Sequence, residues 1–155
     1  MTELSILYDQ DPVTWAAYQA ELLKTGQWLE LDIEHLIEEL TGMGISESNE
    51  LENRLTILLA HLLKWQFQYQ HLASQWQGFA GQSWRATIIE QRSRIKKRLS
   101  RSPGLKSKLK QILQEAYVDA VELASEESCL PFSVFPSLCP YSWEQIMDKD
   151  FYPFT

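Results

Sequence analysis

Leu51, Leu55, Leu58, Leu59, Leu62 and Leu63 recur at three- and four-residue intervals within one stretch of this chain. On an α-helix such positions share a face, whereas on a strand they would scatter to both sides. The leucine face predicts a central helix over about 47–69, capped by Ser46 or Ser48, against which the remaining elements must pack. No alternating strand pattern competes with it anywhere in the chain.

The flanking segments carry helical signals of their own. Asp11-Pro12 reads as an N-cap followed by proline at the first helical position, and Gly26 as the stop of that helix. Trp15, Tyr18, Leu22 and Leu23 are its expected apolar stripe. Asp32 caps a short second helix, with Leu31 and Leu36 placed as a hydrophobic staple. Leu36, Ile37 and Leu40 are expected to face inward, and Gly42-Met43-Gly44 to end this helix. Residues 70–82 read as a loop, after which Ser83 caps a helix carrying Trp84, Ile88, Ile95 and Leu99. Ser102-Pro103 repeats the cap-plus-proline signal and opens a helix through Leu105, Ile112, Tyr117 and Ala124. From 128 to 155 prolines and aromatics alternate, which predicts an ordered tail packed on the helices, with one short helix near Ser142–Asp148.

The expected fold is therefore all-α: one domain over 1–155, a bundle of about five helices with an aromatic, Pro-rich C-terminal tail. A 155-residue chain suits a single core, burying roughly 70% of its unfolded surface. No apolar run approaches the roughly 20 residues a membrane span needs, and the first residues lack the basic and apolar regions of a secretory leader. A cytoplasmic location without membrane contact is expected. Cys129 and Cys139 fit neither a disulfide framework nor a four-ligand zinc site, and two reduced thiols are expected.

Charge is distributed unevenly. Ten of the fourteen Lys and Arg residues lie between Arg85 and Lys110, where Glu90 is the single acid. The window carries a formal +9, and the rest of the chain −16. Segregation of this kind sets up a nucleic-acid patch or an electrostatic seam with a partner.

Several blocks in order, taken together, resemble a known family. These are Tyr8-Asp9-x-Asp11, Leu22-Leu23-Lys24-x-Gly26, Glu38-Glu39-Leu40-x-x-Met43-Gly44, His61-Leu62-Leu63-Lys64-Trp65, Ser83-Trp84 with Gln91-Arg92, and Phe135-Pro136 with Cys139-Pro140-Tyr141. They resemble the bacterial domain-of-unknown-function family numbered twenty-nine over nearly the whole chain. The resemblance implies an all-α fold and no particular activity. Residues 70–82 are longer than the linker that family places between the His-Leu-Leu-Lys-Trp and Ser-Trp blocks.

Most candidate site residues cluster on two helices. At 100° per residue, Arg54 and His61 fall within about 20° of each other, with Glu50 and Trp65 close by on the flank of the leucine face. A histidine beside an arginine suits acid–base work on a phosphate, the guanidinium stabilising developing charge. The Arg54-x6-His61 spacing is similar to a motif of helical ribonuclease domains in toxin–antitoxin pairs. The plainer reading is an i,i+4 ion pair between Glu50 and Arg54, with His61 a hydrogen-bonded flank residue. On the basic helix, Trp84, Arg85, Arg92, Lys96, Lys97 and Arg98 are binding candidates. Glu38 is a further one, as a cross-helix partner for an arginine. No Glu-x-x-His occurs, and neither a metal nor a cofactor is expected.

Three functions fit these residues. The first is a non-enzymatic helical interaction or regulatory module with a protein partner. The second is a metal-independent ribonuclease or nucleotide-processing enzyme using Arg54 and His61. The third is a passive nucleic-acid binder acting through residues 85–110. Oligomeric state is not legible.

Overall fold

The computed structural model describes residues 3–75 and 81–154, and among them every regular element is helical. Backbone contacts divide the chain into two compact units, Met1–Ser46 and Glu47–Thr155. None of the described helices is long and apolar enough to cross a membrane.

The first unit opens with α1 (Glu3–Gln10), a helix with no buried residue and without a sequence signal strong enough to be read. Helix α2 (Pro12–Lys24) starts as expected: Asp11 accepts from the Thr14 N–H at 3.1 Å, and Pro12 occupies the first turn. It ends at Gly26, whose φ of 72° lets Gln27 N–H reach the Leu22 carbonyl at 2.9 Å. The Gly26 N–H meets the Leu23 carbonyl in the same turn, the doubly bonded stop that a left-handed residue permits. Trp15, Gln19 and Leu22 are the buried residues of α2, while Tyr18 and Leu23 lie more than two-fifths exposed, so the four-residue stripe is narrower than expected.

Helix α3 runs unbroken from Ile33 to Lys64. The expected stop at Gly42-Met43-Gly44 does not occur, and neither Ser46 nor Ser48 is a cap. Neither glycine takes a positive φ, and an added Cβ at either would meet nothing within 4 Å. Two interior glycines cost about 1 kcal/mol each relative to alanine, which weakens a helix without breaking it. Ile37 and Leu40, expected to face inward, are 59% and 67% exposed.

The second unit is built on the leucine face of α3. Leu51, Leu55, Leu58, Leu59, Leu62 and Leu63 are fully buried. Each removes about 1.5–3 kcal/mol worth of apolar surface from water. Helix α5 (Gln82–Arg101) contributes Ile88, Ile95 and Leu99 to this core. Helix α6 (Leu109–Ser128) contributes Ile112, Ala116, Tyr117, Ala120 and Ala124. Phe135, Tyr141 and Ile146 close it from the C-terminal segment. Within that segment α7 (Trp143–Met147) is held by a reciprocal cap between Ser142 and Gln145.

Two connections differ from expectation. After Lys64 the helix widens into a π turn over Trp65–Tyr69 and continues as α4 (Gln70–Gln75), so the first half of the expected 70–82 loop is helical. Residues 76–80 of the expected loop lie outside the described residues. Helix α5 is then preceded by Gly81 at φ 64°, which takes the N-cap place assigned to Ser83. A Cβ on Gly81 would stand 2.6 Å from the Tyr69 ring, so both conformation and space demand glycine there. Pro103 opens a short three-ten helix (Pro103–Lys108) rather than α6 itself, and Ser102 donates its hydroxyl to Glu47 instead of capping.

Candidate functional site

Helices α3 and α5 contribute Leu51, Leu55, Ile95 and Leu99 to one core, and residues of the same two helices line a cleft of about 390 Å³. Its walls are Glu50 and Arg54 from α3, and Ser93, Arg94, Lys97, Arg98 and Arg101 from α5. The α5 residues recur at three- and four-residue steps, so one helical face gathers them. Five cations thus meet one carboxylate across the cleft.

Part of this charge is already answered. Arg54 Nε donates to Glu50 at 2.9 Å, the i,i+4 pair that the sequence foretells. Arg98 Nη1 donates to Glu47 at 2.8 Å, and its other terminal nitrogen lies 3.8 Å from Glu50. The Arg98 hydrogen bond holds the Glu47 carboxyl below its usual range. Arg94 pairs with Glu90 on the outer rim. Lys97 and Arg101 are exposed and form no ion pair among the described residues.

His61 stands apart. It is not among the cleft-lining residues, and its Nδ1 meets the Ile57 carbonyl at 2.8 Å. Because a carbonyl only accepts, Nδ1 carries the proton and Nε2 is bare in the neutral ring. Burial pushes the ring's pKa below its ordinary value, and the Lys64 cation adds to this.

The remaining candidates divide between other surroundings. Trp65 stacks on Tyr69 with centroids 4.4 Å apart and tilts against Tyr152 at 4.8 Å. Arg85 covers the Trp65 and Tyr152 rings at 5.3 and 4.4 Å. Arg92 is buried and faces inward: Nε donates to Ile146 O at 2.7 Å and Nη2 to Phe151 O at 2.8 Å, tying the C-terminal segment to α5. Trp84 lies beneath the Lys64 ammonium, 5.0 Å from ring centroid to Nζ, and that ammonium also pairs with Glu127. Lys96 is exposed, beside Leu99, Ser100, Lys106 and Trp143 on a different surface.

Glu38 belongs to the first unit, where it is exposed on α3. The polar centre of that unit is Asp32, which accepts from Trp15 Nε1 at 2.9 Å and pairs with His35 Nδ1 at 2.8 Å. Burial works to raise the Asp32 pKa, but the His35 and Trp15 hydrogen bonds outweigh it, and the carboxyl titrates low. Tyr8 stacks on the His35 ring at 4.1 Å. Its hydroxyl donates to Glu39, which pushes the phenol pKa up to about 12.

The structure therefore brings together Glu50, Arg54, Lys97 and Arg98, and leaves His61, Trp65, Trp84, Arg85, Arg92 and Lys96 outside their cleft. Ser93, Arg94 and Arg101 complete it. The signal that could have found these three was their helical register with Lys97 and Arg98. Among the described residues no group of three or more His, Cys, Asp or Glu is placed to hold a metal ion.

The family model for the domain of unknown function DUF29 matches residues 7–152. The chain belongs to the DUF29 family. No curated protein and no solved structure matches it. For this DUF29 chain, as for the family by its description, no reaction comes with membership, and any role has to be argued from its own residues.

Proposed function

We propose that this DUF29 chain is a non-enzymatic interaction module that holds an acidic surface of a protein partner in the cleft between α3 and α5. The reading rests on one arrangement: Arg54, Arg94, Lys97, Arg98 and Arg101 line a single cleft in which Glu50 is the only acid among the described residues. Cations of one sign gathered in a cleft focus the potential and steer an oppositely charged surface toward them. Lys97 and Arg101 carry the charge that Glu47, Glu50 and Glu90 leave unanswered.

Among the described residues the cleft lining contains no aromatic side chain, so a single nucleic-acid strand would find phosphate contacts there without base stacking. A ribonuclease would need Arg54 and His61 around one phosphate. The His61 ring, turned to the Ile57 carbonyl outside the cleft, supports the binding reading instead.

Affinity capture from cells at low salt tests the proposal, with wild type beside Lys97→Ala/Arg101→Ala and His61→Ala. A protein held in stoichiometric amount by wild type and His61→Ala, and released by the double variant at unchanged melting temperature, is the expected result. Nucleic acid as the only captured species, or capture indifferent to Lys97 and Arg101, would remove the reading.

A further inference from the structure

The first unit carries nine carboxylates against Lys24 alone, a formal charge of −8, whereas the window from Arg85 to Lys110 carries +9. The same unit holds most of the unburied apolar bulk. Among the described residues, eleven of the seventeen exposed large hydrophobic side chains fall between Ile6 and Ile45. On α3 they form a stripe: Ile33, Ile37 and Leu40 are 53%, 59% and 67% exposed and lie within about 60° of one another around the helix. Glu34 and Glu38 border the stripe on one side, at one-turn spacing.

Helix α5 presents the complement. Its outward positions Ala86, Ile89, Ser93 and Lys97 follow at steps of three and four, and all are exposed. Ala86 and Ser93 are small enough to admit a neighbouring helix closely, Ile89 supplies apolar contact, and Arg94 with Arg101 borders the row with positive charge. Bulky and acid-flanked on one surface, small and base-flanked on the other, the two surfaces match in shape and in sign.

From this match we infer that the occupant of the basic face is a second copy of the chain: the acidic α3 stripe of each copy docks on the α5 face of the other. The inference rests on the reading of the basic cleft as a docking site and names its partner. In the proposed pair the two contacts are reciprocal, as a two-fold dimer requires. Both surfaces are also present at equal concentration wherever the chain is made.

The test is the mass of the intact chain in solution, by light scattering and sedimentation, up to about 100 μM, where even a weak specific contact populates. Wild type is expected at twice 18.1 kDa, and Ile37→Asp/Leu40→Asp at 18.1 kDa with its helical signal retained. Lys97→Glu/Arg101→Glu alone and Glu34→Lys/Glu38→Lys alone are each expected to dissociate at least tenfold more readily. Their equimolar mixture is expected to recover a two-chain species, because each swapped surface then meets its opposite. A wild-type mass of 18.1 kDa throughout, or a dimer that none of these variants weakens, overturns the inference. A monomer that still binds an acidic peptide through Lys97 and Arg101 leaves the docking function standing, whereas a monomer that binds none removes both.

Discussion

Arg98 and Glu47, fifty-one residues apart in sequence, meet across 2.8 Å where α5 passes α3. Both side chains are about one-third exposed, so water screens the pair, and its worth is about 0.2–1 kcal/mol. Its larger effect is to neutralise Arg98, which leaves Lys97 and Arg101 as the cations open to a partner. Replacing Arg98 by alanine is therefore expected to lower stability by up to about 1 kcal/mol in urea unfolding, while Lys97→Ala leaves the unfolding midpoint in place.

Gly81 and Gly42 are expected to respond in opposite directions to alanine. At Gly81 the left-handed backbone alone disfavours a side chain by about 1–2 kcal/mol. The Tyr69 ring 2.6 Å from the new Cβ adds to that, so a loss of more than about 2 kcal/mol is expected. At Gly42, helical and open, alanine is expected to gain about 0.5–1 kcal/mol. Denaturant midpoints of the two variants check both signs.

Arg92 gives the C-terminal segment its anchor. Removing a buried guanidinium that serves the Ile146 and Phe151 carbonyls strips two charge-assisted bonds, each worth about 1.5–3 kcal/mol. Arg92→Ala is expected to lower stability by at least about 3 kcal/mol. Arg92→Lys should recover little, because an ammonium cannot reproduce the fork. Hydrogen exchange is expected to show amides 143–151 losing protection before those of α3.

The central helix was legible because Leu51 through Leu63 repeat with a period no strand can use. Asp11-Pro12 and Gly26 were legible because their caps are local. The run through Gly42 and Gly44 was not, because a glycine that only weakens a helix looks like one that ends it. Ser102 misled in a similar way: its hydroxyl serves Glu47, a partner that sequence does not reveal. Arg54 and His61 share an angle on the helical wheel, yet seven residues of rise set them about 10 Å apart along the axis. Only the first of them reaches the cleft.

His35 and His61 are expected to titrate on opposite sides of the ordinary imidazole value. The Asp32 hydrogen bond raises His35, so its contribution to stability is complete below the unfolded pKa of about 6.5 and is lost as pH rises through the higher folded value. Burial lowers His61, so its neutral form is the stable one, and stability is lost as pH falls from about 6.5 through the lower folded value. Proton NMR of the two rings reads both values directly, and Asp32→Asn should bring His35 down while leaving His61 in place.

The central claim, that the α3–α5 cleft holds an acidic surface, is tested most directly by titrating a fluorescent oligoglutamate with the protein, diluted enough to be free of self-association. The titration is repeated at about 50 and 200 mM salt. Binding is expected to weaken as salt rises and to fall at least tenfold in Lys97→Ala/Arg101→Ala. Failure of wild type to bind at the lower salt, or equal binding by the double variant, would contradict it.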